Sequence, residues 1–315
     1  MIKQGNRNPR KSQVDTTSCR TDSDKSKAKL QLTPRDTPRE IAKRFERERR
    51  VVVRHQESQL DQGLRDFRVG SVPYLNAVPL TRGLEDHLCF ATPAKLAEML
   101  LRDELDAALV SVVEVLQRDR YDILDGIAVA SLGEVKSVYL AHRHPLDEMR
   151  EVHCDPASLT SIFLLRVLLA DRGLNPEIKR LASYAPETIP DFALLIGNPA
   201  IEFLHSSPDH TIWDLGAAWY ESTRLPFVFA VWAMRRGIEN EWLRDRLREA
   251  RAFGLETLDS IIRERPEFDM DFRRDYLGWH IHYHLGEDEK RGLVLFMEKL
   301  KQAGIGPVYE PRFLA

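Results

Sequence analysis

From Phe67 onward, short apolar runs of strand length alternate with stretches of helical pattern, and few architectures accommodate that alternation. Residues 67–72 read as a β run stopped by Pro73, and residues 106–110 as a short buried strand. Further strands are expected at 127–131, 137–142, 151–154 and 192–196, the last ending at Gly197. Residues 226–234 are nearly all apolar, the pattern of a strand buried on both faces. Between these lie helix signals. Thr92 followed by Pro93 reads as an N-cap with proline at the first helical position. Residues 162–170 form an apolar helix ending near Gly173, and residues 241–263 and 288–303 are helical in pattern. The whole predicts a mostly parallel α/β fold, and 315 residues suggest two domains or lobes.

Composition shifts sharply near Asp66. Residues 1–38 are polar, with too little apolar content to offset ordering entropy, and residues 40–54 carry a basic run around Lys43, Arg44 and Arg47. That run has no apolar stripe, so residues 1–66 are expected to be a disordered polar extension outside the folded part. The chain carries a formal net charge of −3, which gives no reason to expect nucleic acid or an anionic membrane as partner. No stretch approaches the ~20 consecutive apolar residues that span a bilayer. The first residues lack the apolar centre of a secretion signal, and Cys19, Cys89 and Cys154 show no paired spacing. A cytoplasmic protein is expected.

Four segments share one design, in which a strand ends, small polar residues follow and a helix begins. They are Tyr74-Leu75-Asn76, Ser111, the run Ser158-Leu159-Thr160-Ser161, and Gly197-Asn198. Ligands of open α/β sheets bind beyond the carboxyl ends of the strands, where helix N-termini favour carboxylates and phosphates. The pattern alone leaves two readings of the hydroxyl run open: plain N-capping, or capping together with anion binding. His280, His282 and His284 recur at period two, but a metal site ordinarily also recruits a carboxylate or a distant ligand, so no metal is expected. Trp213, Trp219 and Trp232 read as core. No glycine-rich dinucleotide turn, phosphate-binding loop or nucleophile elbow occurs, and no cofactor is expected.

In order along the chain, several of these motifs resemble chorismate dehydratase, the first enzyme of the futalosine route to menaquinone. They are the segment 68–80 with Val72-Pro73-Tyr74-Leu75-Asn76, the strand with Leu105-Asp106-Ala107-Ala108-Leu109, and Gly133 through Ser137. They continue with Ser158 to Ser161, Leu195-Ile196-Gly197, Trp213-Asp214-Leu215-Gly216, Trp219 and Leu225-Pro226-Phe227. The chain departs from the family at Asn198, where Asp is usual, and at Arg224, where Gly is usual.

The resemblance implies a two-lobed, type II periplasmic-binding-protein-like fold with the ligand cleft between the lobes. One lobe would take residues 67–150 and 227–315, the other residues 151–226. The implied reaction removes water from chorismate without metal or cofactor. Asn76 and Ser137 would be the catalytic pair, with Tyr74, Leu75, Ser111, Ser158, Thr160, Ser161, Gly197 and Asn198 holding the substrate. Two alternatives stand beside it: a 1,4-dihydroxy-6-naphthoate synthase-type enzyme of the same pathway, and a non-catalytic small-anion binding protein.

Overall fold

A computed structural model describes residues 38–62, 64, 66–155, 159–206, 209–238 and 241–315. The chain divides into two compact units, Met1–Val51 and Val52–Ala315. Of the first, the described part is the beginning of helix α1 (Pro38–Gln62), whose exposed face carries an Arg50–Glu46 ion pair one turn apart. The remainder of α1 belongs to the second unit. There Leu60 and Leu64 are buried and Glu57 pairs with Arg82 at 2.9 Å. Residues 38–62 therefore correct the expectation of a disordered extension to residue 66. Leu60 and Leu64, four residues apart, are apolar positions that the charged run lacks.

Within the second unit the elements follow in order: β1 (Val69–Ser71), α2 (Val78–Thr81), β2 (Leu88–Phe90), α3 (Pro93–Leu101), β3 (Ala107–Ser111), α4 (Val112–Leu116) and β4 (Tyr121–Ser131). Next come β5 (Val138–His142), β6 (Glu151–Cys154), α5 (Leu159–Ala170), β7 (Glu177–Arg180), β8 (Phe192–Ile196), α6 (Gly197–His205), β9 (Thr211–Asp214) and α7 (Leu215–Thr223). The chain closes with β10 (Phe227–Arg235), α8 (Glu241–Glu256), α9 (Leu258–Glu264), α10 (Met270–Asp275), α11 (Glu287–Gln302) and β11 (Phe313–Leu314). Thr92 caps α3 as its sequence predicts, its hydroxyl accepting from Lys95 N–H at 3.4 Å.

The strands form two mixed sheets, ordered β11-β4-β10-β3-β1-β2 and β7-β6-β8-β5-β9. Most strands run parallel, as the alternation of strands and helices predicts; the exceptions are β10, antiparallel to β3 and β4, and β5, antiparallel to β8 and β9. Both strands follow a passage of the chain from one sheet to the other, and each enters its new sheet against the direction of its neighbours. The expected lobe boundary at 150 also misses the division of strands, because β5 already pairs in the second sheet.

Side chains of β5 and β8 alternate between two cores. Val138, Leu140, Leu194 and Ile196 join the main cluster, while Tyr139, Ala141, Ala193 and Leu195 face a smaller one with Phe203. Burial on both faces explains the unbroken apolar runs of these strands, each large side chain contributing ~1.5–3 kcal/mol.

Candidate active site

Between the two sheets lies a cavity of about 610 Å³ counted out to its mouth. The first sheet supplies Val110 and Ser111 from the end of β3, Val129 from β4, and Phe229 and Ala230 from β10; the second supplies Val138 and Ile196, and α6 its first residue, Gly197. Its far wall includes the first turn of α5, with Thr160 and Ser161, both almost wholly buried. Tyr74 precedes and Asn76 lies within a 3₁₀ turn, Leu75–Ala77, which follows β1 because Pro73 ends the strand. The strand-end turns singled out in the sequence thus converge on one space, since α/β connections leave the carboxyl ends of strands beside helix starts.

A hydroxyl chain links the elements of this wall. Tyr276, wholly buried in a π-helical turn (Tyr276–His280), donates its hydroxyl to Ser137 Oγ at 2.8 Å and is also hydrogen-bonded by the Asn76 side chain. Burial pushes the Tyr276 phenol above its ordinary pKa, so it stays a donor. Ser137 reaches its own acceptor, the Val135 carbonyl, only at 3.4 Å. Its proton is therefore weakly held and can turn to a ligand, polarised by the donation it receives from Tyr276. A second chain crosses the cavity floor: Thr160 donates to the Phe229 carbonyl at 3.1 Å and bonds Ser111. With the Thr160 proton committed, Ser111 is the donor in that pair.

The loop carrying Ser137 is fixed from behind. Asp214 accepts N–H bonds from Val135 at 3.1 Å and Lys136 at 2.8 Å, and caps α7 through Ala217 N–H at 3.0 Å. Gly216 allows α7 to approach, since a Cβ there would sit 2.5 Å from the Gly133 carbonyl oxygen. Gly197 opens α6 at φ +63, donates its N–H to the Ser137 carbonyl at 2.8 Å, and packs flat against the Tyr74 ring.

Among the described residues lining the cavity, Tyr74 is the one side chain with an ionisable group. Burial, then the nearby Asp155 carboxylate, pushes its pKa up to about 12, so it too is neutral near pH 7. Asp155 is buried and hydrogen-bonds Tyr184, whose hydroxyl is pushed up by burial and by that carboxylate. An anion in this cavity would meet the start of α5 together with hydroxyl and amide dipoles, with no cation from the described lining. Nothing described there can act as a general base near neutrality.

The structure does not gather all the expected residues. Leu75 is fully buried in the core, away from the cavity lining, because the 3₁₀ turn directs its side chain opposite to Asn76. Asn198 sits behind the wall and accepts the Leu75 N–H at 3.3 Å, which makes it a clamp on the turn. Ser158 lies outside the described residues. Sequence reasoning missed Tyr276, which is 139 residues from Ser137 and carries no local motif. It also missed Asp155, although this residue follows β6 in the same strand-end position as the turns that were singled out.

Comparison with known proteins fits this geometry. The chain is 34% identical over 269 residues, 75% of its length and 96% of the relative's, to a chorismate dehydratase of Thermus thermophilus. In three dimensions it resembles protein AF1704 from Archaeoglobus fulgidus, with a TM-score of 0.62, 16% identity, and coverage of 76% of this chain and 98% of that one. It also resembles the periplasmic aliphatic sulphonate binding protein SsuA from Escherichia coli, with a TM-score of 0.50, 11% identity, and coverage of 79% and 93%. The fold is thus periplasmic-binding-protein-like, with a ligand cavity between its sheets. A family described as menaquinone biosynthesis matches residues 67–302, and the chain belongs to that family.

Proposed function

We propose that this protein is a chorismate dehydratase, a hydro-lyase converting chorismate to 3-[(1-carboxyvinyl)oxy]benzoate in the futalosine route to menaquinone. The likeness to a curated chorismate dehydratase supports the activity. One structural observation carries the mechanism: the polar side chains of the described cavity lining are all neutral hydrogen-bonding groups, set among apolar ones, and none is a base. Elimination takes a proton from the ring carbon bearing the enolpyruvyl ether, and the C–H electron pair becomes the new ring double bond. Hydroxide leaves the neighbouring carbon and is protonated to water, and aromatisation drives the step. In this reading the substrate's own enolpyruvyl carboxylate takes the proton. Asn76 orients that carboxylate and Ser137 hydrogen-bonds the departing hydroxyl, supplying positioning and preorganised dipoles. Ser111, Thr160 and Ser161, with the α5 N-terminus, hold a carboxylate. The two sheets act as lobes that close over the ligand and expel water. The reading places the enzyme in the cytoplasm, a reducing compartment that suits the free thiols Cys89 and Cys154.

The test is incubation of the full chain with chorismate, without added metal or nucleotide, followed by product mass and ultraviolet absorbance. Loss of one water with an aromatic chromophore is expected. Tight binding of chorismate or another carboxylate without turnover would overturn the enzyme reading in favour of a binding protein.

A further inference from the structure

We propose that His282, His284 and Glu289 form a binding site for a divalent transition-metal ion of the zinc class. One potential ligand atom from each lies within 4.8 Å of the other two. His284 Nε2 and Glu289 Oε1 are already 3.1 Å apart. A tetrahedral ion with bonds of about 2.0–2.1 Å separates its ligand atoms by about 3.3 Å, so that edge is in place and His282 completes the triad by a small ring movement. The two imidazoles stack with centroids 5.4 Å apart and an interplanar angle of 20°. Nδ1 of His282 is buried and makes no hydrogen bond to the protein, a costly arrangement that a ligand at this ring would relieve. Two imidazoles and one carboxylate match the ligand preferences of zinc and its first-row neighbours. The sequence-based expectation of no metal rested on the lack of a carboxylate beside the histidines, and Glu289 from the first turn of α11 supplies it.

Glu289 is almost wholly buried, and its other oxygen, Oε2, accepts the Gly286 N–H at 2.9 Å, which fixes the carboxylate against the N-cap backbone of α11. His280 takes no part, being held by the Glu134 carbonyl at 3.0 Å and by Asp275. The position indicates what the ion does. His282 exchanges backbone hydrogen bonds with Ala130 of β4, at 2.8 and 2.9 Å. A metal here would tie α11 to that bridge, just after the turn that presents Tyr276. The site is structural and independent of the proposed chemistry in the cavity.

The test uses the full chain, stripped with chelator and titrated with Co²⁺ and then Zn²⁺. We expect one Co²⁺ per chain with the visible absorption of a tetrahedral or five-coordinate N/O site, displaced by Zn²⁺. Saturating Zn²⁺ should raise the melting temperature by roughly 5 °C. His284→Ala, a change at a half-exposed side chain, should abolish both signals while leaving the metal-free melting temperature within about 2 °C. Glu289→Gln, which can still accept the Gly286 N–H, should weaken Co²⁺ binding about 10- to 100-fold. No Co²⁺ spectrum, or a spectrum unchanged in His284→Ala, overturns the assignment and leaves a histidine–glutamate ion pair.

Discussion

At one end of the six-stranded sheet, the Asp106 carboxylate accepts the Arg68 N–H at 2.9 Å, the Arg68 guanidinium at 2.8 Å and the Arg235 guanidinium at 2.7 Å. Nearby, Asp122 is held between Arg236 and Arg312 at 2.6 and 2.9 Å. At the other end β3 finishes at Ser111, which faces Ala230 of β10 in register, and the described cavity lining there carries no formal charge near neutrality. The same strands run through both ends, so sheet geometry is not the cause of the difference. Charges paired with fixed counter-charges lock strand ends together and would resist a ligand of either sign. Hydroxyl, amide and N–H dipoles already aimed inward can exchange water for an anion without a salt bridge having to break.

The comparison predicts that the two ends fail in opposite ways, and the largest effect belongs to the neutral end. Asn76→Ala and Ser137→Ala should each lower kcat by roughly 10²–10³-fold, the usual loss when one preorganised donor is removed. Melting temperatures should stay within about 3 °C of the parent, because neither side chain carries a large share of the core. Near-parental turnover in both variants would remove these residues from the catalytic roles assigned to them.

Asp106→Ala should do the reverse. It leaves Arg68 and Arg235 facing each other at the sheet end and should cost about 2 kcal/mol of stability, while turnover per folded molecule is unchanged. Burial alone would raise the Asp106 pKa, but hydrogen bonds from the Arg68 side chain and backbone and from Arg235 outweigh it and hold the carboxyl below its ordinary value. A carboxyl depressed on folding stabilises the native state above its unfolded pKa of about 3.9, and that contribution is lost as pH falls through the folded value. The variant should therefore lose less stability than the parent on acidification below about pH 4. Urea melts at a series of pH values would check this, and parallel curves for the two proteins would sink it.

Tyr276→Phe comes next in size. The ring stays stacked on Phe272, with centroids 5.4 Å apart, while the hydroxyl that joins Asn76 to Ser137 disappears. Ser137 keeps its own proton, so kcat should fall by about 10-fold, less than on deleting Ser137 itself. A loss in kcat with little change in KM marks Tyr276 as positioning Ser137. A change confined to KM would point to substrate binding instead.

The sequence made one of these two ends far more legible than the other. Asn76, Ser111, Thr160, Ser161 and Gly197 could be singled out because each lies where a strand pattern breaks into small polar residues, Ser137 came only from the family resemblance, and all six line the cavity. β8 could be read to the residue, because its unbroken apolar run ends at Gly197. Pairing was not legible. Nothing local to residues 138–142 says that they enter the second sheet antiparallel, since the direction is set by the path of the chain from β4. Long-range polar partners were hidden for the same reason: Tyr276 meets Ser137 only once the C-terminal segment folds back. Leu75 shows the converse, a residue inside the right motif whose side chain the 3₁₀ turn sends into the core.

The smallest effect is expected at Arg224, a cation between α7 and β10 at a position where the resemblance implies glycine. Arg224 closes α7 in the left-handed conformation at φ +59, ψ 24, and its guanidinium lies over the Tyr220 ring at 5.4 Å from the centroid. A non-glycine residue in that conformation carries a cost of about 1–2 kcal/mol. Replacing it with glycine would relieve the strain, but would add about 0.5–1 kcal/mol of chain entropy to be lost on folding. It would also forfeit about 0.5 kcal/mol of exposed cation–ring attraction. These contributions nearly cancel, so Arg224→Gly should change stability by no more than about 0.5 kcal/mol, under ~2 °C in melting temperature. Because the guanidinium packs on an aromatic ring and is absent from the cavity lining, KM for chorismate should stay within about twofold. A KM rise of about tenfold would mean that this cation contributes to anion capture, and the contrast between a charged end and a neutral end would have to be redrawn with Arg224 on the binding side.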